Sequence, residues 1–158
     1  MREQIWFGIL EADRLGRYYG MVSDKYSRWH LILTCVVVVS ASSSAASLLA
    51  RFPDVVAAIA LLIASAVAIW LYLKDYSGKA VAARLFSEQY DHLATEWRRL
   101  WYSDSTPEEI YTLRSASDRI GTGYDIPIDE DLHARAQEDS YATVPNEFAY
   151  GEGLEAQA

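Results

Sequence analysis

Two apolar runs decide the fold: LILTCVVVVSASSSAASLLA (residues 31–50) and VVAAIALLIASAVAIWLYL (residues 55–73). They are 20 and 19 residues long, and neither contains a charged side chain. At about 1.5 Å of rise per residue, about 20 apolar residues cross the hydrocarbon core of a bilayer as a helix. Only Arg51-Phe52-Pro53-Asp54 lies between them. Four residues cannot carry the chain back across a membrane, so the two runs predict a tight antiparallel hairpin. Pro53 cannot continue the ladder of the first helix, and it pushes Phe52 toward extended geometry. Asp54 is placed to accept from the free N–H groups that open the second helix. A hairpin buried in a soluble protein is the alternative. A chain of 158 residues could hardly surround two helices that are apolar on every side.

The charge pattern divides the rest of the chain. Residues 1–119 carry 13 acidic and 13 basic side chains, whereas residues 120–158 carry nine acidic ones and only Arg135. The net charge of −8 therefore sits in the tail. A negative tail excludes nucleic acid and anionic lipid as its partners, since both require positive charge. The single Cys35 lies within the first run, so no intramolecular disulfide forms. The Cys/His pattern of a zinc site is missing too.

A long segment of mixed polarity precedes the first run, unlike the basic start and short apolar core of a cleavable signal peptide. That run is expected to act as an uncleaved anchor. Lysine and arginine near the spans set the orientation. Arg14, Arg17, Lys25 and Arg28 precede the first span, and Lys74, Lys79 and Arg84 follow the second. The turn has only Arg51. Both termini are thus predicted to be cytoplasmic, with the turn outside and the membrane crossed twice. Trp29, Trp70 and Tyr72 fall at the same predicted interface, the depth that rings with a polar edge favour.

Within the first span, Ser40, Ser43, Ser44 and Ser47 recur at i, i+3, i+4 and i+7 and share one helix face, while Ser42 points away. The second span carries Ala60, Ala64 and Ala68 at four-residue steps. Small residues let membrane helices approach closely, and serine can hydrogen-bond across the contact. The serine face either packs on the alanine face within one hairpin or lines a water-filled path. The second reading requires several copies, because one hairpin encloses no pore. Neither span holds an ionisable group of the kind that pumps and secondary transporters need.

Residues 1–28 form the N-terminal segment. Ile5, Ile9, Ala12, Gly16, Tyr19, Val22 and Tyr26 recur at three- and four-residue steps, which predicts an amphipathic helix. It either lies on the inner leaflet or packs on another cytoplasmic helix. A partner for packing exists after the spans. There Ala82, Phe86, Tyr90, Leu93, Trp97 and Leu100 follow a near coiled-coil spacing over residues 75–103. Gly78 is the weak point at which this helix would bend. Thr106-Pro107-Glu108-Glu109 then reads as a capping box opening a second helix, ended by Gly121 and Gly123. Asp129–Asp139 predicts a short helix, and from Ser140 the pattern fades into an acidic, mostly disordered tail. The fold class is all-α: a membrane hairpin (29–73), a cytoplasmic helical region (74–122) and a tail (123–158).

No arrangement of side chains resembles an active site, and neither a cofactor nor a metal is implied. His92 with Glu88, and His133 with Asp129, are spaced as ordinary i, i+4 surface pairs, and His30 stands at the membrane border. Gly16-Arg-Tyr-Tyr-Gly20 lacks the preceding strand and the Lys-Ser/Thr of a phosphate loop.

The segment Arg14-Leu-Gly-Arg-Tyr-Tyr-Gly20, two close spans, and a long helix ending in Glu96-Trp97-Arg98-Arg99-Leu100-Trp101 together resemble the SLATT group of bacterial two-transmembrane effectors. The resemblance covers about residues 5–120 and rests on architecture. It implies an effector of an antiviral defence system that oligomerises in the inner membrane and makes it leaky on a nucleotide signal. It also implies a nucleotide-sensing or nucleotide-synthesising partner protein, and it carries no catalytic residues. A non-toxic membrane adaptor holding a cytosolic partner is the alternative function.

Overall fold

The computed structural model describes residues 2–49, 54–104, 106–120 and 125–155; of residues 43–49, 54, 56–57 and 146–155 it describes the backbone only. The described residues are helical, without a strand. The elements are α1 (Arg2–Leu49), α2 (Asp54–Lys74), α3 (Tyr76–Trp101), α4 (Pro107–Ser117) and α5 (Glu130–Glu155). The turn Arg51-Phe52-Pro53 and the side chain of Asp54 lie outside the described residues, as do Gly121 and Gly123.

The chain divides into two compact units. One comprises Met1–Ser23 with Ala82–Ala158, and the other comprises Asp24–Val81. These limits differ from divisions at residues 28 and 73, because α1 runs 48 residues without a break. Arg28-Trp29-His30 contains no proline, glycine or capping residue that would end a helix there.

In the first unit the core is built across four helices. α1 contributes Ile5, Ile9, Leu10 and Ala12; α3 contributes Tyr90, Leu93, Ala94, Trp97 and Leu100; α4 adds Ile110, and α5 adds Val144. Phe86, Tyr19 and Trp101 pack against its edge. Gly8 makes room for Trp97: a Cβ at that position would lie 2.6 Å from the indole ring. Here glycine is required by close approach, not by backbone angle.

α4 opens as its sequence dictates. Thr106 sits at the N-cap, Glu109 N–H donates to Thr106 Oγ1 at 3.4 Å, and Thr106 N–H donates to Glu109 Oε2 at 2.9 Å. Those hydrogen bonds hold the Glu109 carboxyl below its usual range. Pro107 occupies the first helical turn, where its missing N–H has no partner to lose.

Two expectations are corrected. The chain turns at Asp75, not at Gly78. Asp75 has a left-handed φ of 45°, a conformation that Asp tolerates better than most residues. Its Oδ1 accepts from Gly78 N–H at 3.1 Å and so caps α3. The acidic tail also differs from expectation. Residues 130–155 form one helix, α5, in place of a short helix followed by disorder. Ala136, Ser140 and Val144 recur every four residues and are all buried, at 0%, 1% and 0% exposure. That stripe holds the helix on the unit's core although Pro145 lies inside it and lacks the N–H of a helical rung.

In the second unit, α2 exposes a broad apolar face on which Val55, Ile59, Leu62, Ile63, Ile69 and Leu73 all stand out from the protein, while Ala64 on the opposite side is buried. Among the described residues one helix is long and apolar enough to cross a membrane. It lies within Ala58–Trp101, and almost none of its apolar stretch is buried.

Candidate functional site

The first unit contains a polar junction inside its helix packing. Asp13 lies on α1 one turn after Ile9 and one turn before Gly16, within the buried face. It is 9% exposed, and its carboxylate accepts three hydrogen bonds. Ser140 Oγ of α5 donates to Oδ2 at 2.6 Å, Arg17 Nε donates to Oδ2 at 2.7 Å, and Arg98 Nη2 of α3 donates to Oδ1 at 3.2 Å. Burial pushes the carboxyl's pKa up, but the bonds from Ser140, Arg17 and Arg98 and the charge of Arg17 outweigh it. The net effect holds Asp13 below the usual carboxylate range. A buried carboxylate satisfied in this way ties three helices to one atom group.

Around it the α1–α3 contact is close. Ser87 Oγ donates to the Gly16 carbonyl at 2.8 Å. A Cβ on Gly16 would lie 2.5 Å from Asp91 Oδ1, so any larger residue there would have to turn the Asp91 carboxylate aside. Burial, then the charge of Asp13, pushes Asp91 up. Tyr19 stacks parallel to Tyr90 at 5.8 Å and meets Phe86 edge-on at 5.3 Å. Burial, followed by the neighbouring Tyr19, pushes Tyr90 up to about 12. Tyr18 reaches the start of α5: its hydroxyl accepts from Asp129 N–H at 3.0 Å, and its ring meets His133 edge-on at 5.6 Å. His133 thus takes part in helix packing, and Asp129 Oδ1 caps α5 by accepting from Leu132 N–H at 3.2 Å.

The residues singled out from the sequence distribute as follows. Leu93, Trp97 and Leu100 are buried together with Ile5, Ile9 and Ala12, and Phe86 is half-buried beside them. On α2, Ala64 is buried, Ala60 is half-buried and Ala68 is exposed. Ser40 is half-buried on α1, whereas the side chains of Ser43, Ser44 and Ser47 lie outside the described residues. Glu88 pairs with Arg84 at 3.1 Å, and His92 is exposed on the same helix. Asp13, Arg98 and Ser140 were not singled out. The one local signal was Asp13 interrupting an apolar stripe four residues after Ile9, with Arg17 one turn on.

Comparison with family models, curated proteins and solved structures gave no match to this chain.

Chemically, the junction is suited to holding helices rather than to turnover. Its carboxylate is fully ionised at neutral pH and engaged by three donors. Among the described residues no group of three or more His, Cys, Asp or Glu side chains could hold a metal ion. A cavity of about 190 Å³ beside the junction is lined by Leu10, Glu11, Arg14, Ser140 and Tyr141. Arg14 Nε is buried there without a hydrogen-bond partner among the described residues.

Proposed function

We propose that the chain is a non-enzymatic, two-span membrane effector of a bacterial antiviral defence system. It oligomerises in the inner membrane, with both termini cytoplasmic, and forms a pore or disrupts the membrane in response to a nucleotide signal. One observation carries the membrane part: α2 presents a broad face of bulky apolar groups, with Val55, Leu62 and Leu73 at 67%, 72% and 71% exposure. In water such a surface costs about 25 cal/mol for each apolar Å² left exposed, and a bilayer removes that cost. The second half of α1 supports the same reading, because Leu31, Ile32, Val38 and Val39 are also exposed.

Trp29, Trp70 and Tyr72, all exposed, are suited to the headgroup depth. The serine face of the first span would line the path between copies, or else pack on Ala60, Ala64 and Ala68. The helices bound at Asp13 would form the cytoplasmic part that receives the signal. Residues 31–50 and 55–73 would cross as a hairpin.

The test is induced expression in a bacterium loaded with a membrane-potential dye. Rapid depolarisation on induction supports the effector. Stable potential at full membrane abundance, with or without the cognate signal, would leave the adaptor function in its place.

A further inference from the structure

The second unit contains an open groove of about 360 Å³ between the middle of α1 and the first turns of α3, within the size range of ligand sites. Its polar lining consists of three hydroxyls and an imidazole: Ser27, His30 and Thr34 on α1 and Ser77 on α3. On α1 these fall at i, i+3 and i+7, along one helix face. Leu31 and Val81, 64% and 59% exposed, supply its apolar wall. No carboxylate lines it.

Elsewhere in the same unit, lysines pair with aromatic rings. Lys79 Nζ stands 5.9 Å from the centre of the Tyr26 ring, and Lys74 Nζ stands 5.1 Å from that of Trp70. Tyr26 and Tyr76 pair at 5.9 Å, and Trp70 Nε1 donates to the Tyr76 hydroxyl at 3.3 Å. Rings with polar tips and lysines on apolar stems are the groups that settle where hydrocarbon meets water.

We propose that this groove binds the headgroup of an anionic phospholipid, an inference that rests on the membrane reading above. Charge and donor pattern select the occupant. A phosphodiester offers acceptors only, and the groove offers hydroxyl and imidazole donors in a unit that also carries Lys74 and Lys79. The exposed Leu31 and Val81 receive the upper part of an acyl chain, which a soluble anion lacks. The lipid thereby bridges α1 and α3 at the point where the chain leaves the bilayer.

Native mass spectrometry of the full chain, purified in a detergent with an uncharged headgroup, tests the assignment. The protein is incubated with equal amounts of phosphatidylglycerol and phosphatidylcholine. Wild type should retain phosphatidylglycerol with roughly tenfold preference. Thr34→Leu with Ser77→Leu fills the groove with apolar bulk and should abolish that preference, while Ser65→Leu, on α2 outside the groove, should keep it. If the double variant does not accumulate, Lys79→Gln decides instead and should lower the preference several-fold.

Equal retention of the two lipids by wild type, or undiminished preference in the deciding variant, overturns the proposal. So does displacement of the lipid by millimolar inorganic phosphate, which would mark a soluble-anion site. A change in copy number without a change in lipid retention would mark a contact between copies and overturn it as well. Recovery of wild type from the carbonate-washed soluble fraction would overturn the membrane reading along with it. A membrane-retained protein without lipid preference would overturn the lipid site alone.

Discussion

Replacing Trp97 by alanine removes the largest side chain of the first unit's core. Trp97 is 4% exposed and belongs to the cluster formed with Ile5, Ile9, Leu93 and Leu100. A buried aromatic side chain of this kind covers about 150–250 Å², worth about 4–6 kcal/mol at 25 cal/mol per Å² as an upper bound. Core truncations of Trp cost about 3–5 kcal/mol, and the two figures agree. Ordinary domains are stable by roughly 5–15 kcal/mol, so Trp97→Ala should remove a large share of the total. Gly8→Ala approaches the same contact from the other side. Its Cβ would sit 2.6 Å from the indole, and such overpacking costs about 1–3 kcal/mol. Since both changes act on one contact, they should not add: Gly8→Ala should cost much less when Trp97 is already alanine. Thermal melting of the purified variants in mild detergent measures all three. Wild-type melting of Trp97→Ala, or strict additivity of the pair, would refute the packing argument.

Asp13→Asn should lower the melting temperature most at neutral pH. The folded carboxyl is held below its ordinary value of 3.8, so its stabilisation is present above that pH and is lost as pH falls through the lower folded value. The difference from wild type, followed by melting at stepped pH, should therefore shrink below about pH 4; a constant difference would contradict the assignment. Thr106→Ala removes the side-chain half of the capping box, leaving the Thr106 N–H bond to Glu109, and should cost about 1 kcal/mol, read from the same melts. Ser44→Leu should reduce toxicity at unchanged membrane abundance by drying the path, with Ser42→Leu nearly silent. Equal toxicity of the two at equal abundance would remove the serine face from the mechanism.

The helices that could be read from the sequence are those whose signal is local. Thr106-Pro107-Glu108-Glu109 carries its cap within four residues, and the stripes of Ile5–Ile9–Ala12 and Leu93–Trp97–Leu100 announce buried faces by spacing alone. The bend at Asp75 was not legible, because an aspartate in left-handed geometry looks in sequence like any surface aspartate, whereas Gly78 looks like a hinge. α5 was misread for a related reason. Its polar surface is that of a disordered tail, while Ala136, Ser140 and Val144 anchor it. Two of these are small, and none forms a conspicuous apolar stripe. The junction at Asp13 was hidden because its donors Arg98 and Ser140 lie 85 and 127 residues away. Only the folded chain brings them together.

The most direct measurement of the central claim is sidedness. In a Cys35→Ala background, single cysteines are placed by Phe52→Cys and Tyr150→Cys and exposed to a membrane-impermeant maleimide. The account predicts labelling of position 52 in intact spheroplasts, and of position 150 only after permeabilisation. Labelling of position 150 from outside, with position 52 protected, would contradict the orientation. Labelling of neither position before permeabilisation and both after it would contradict the crossing itself.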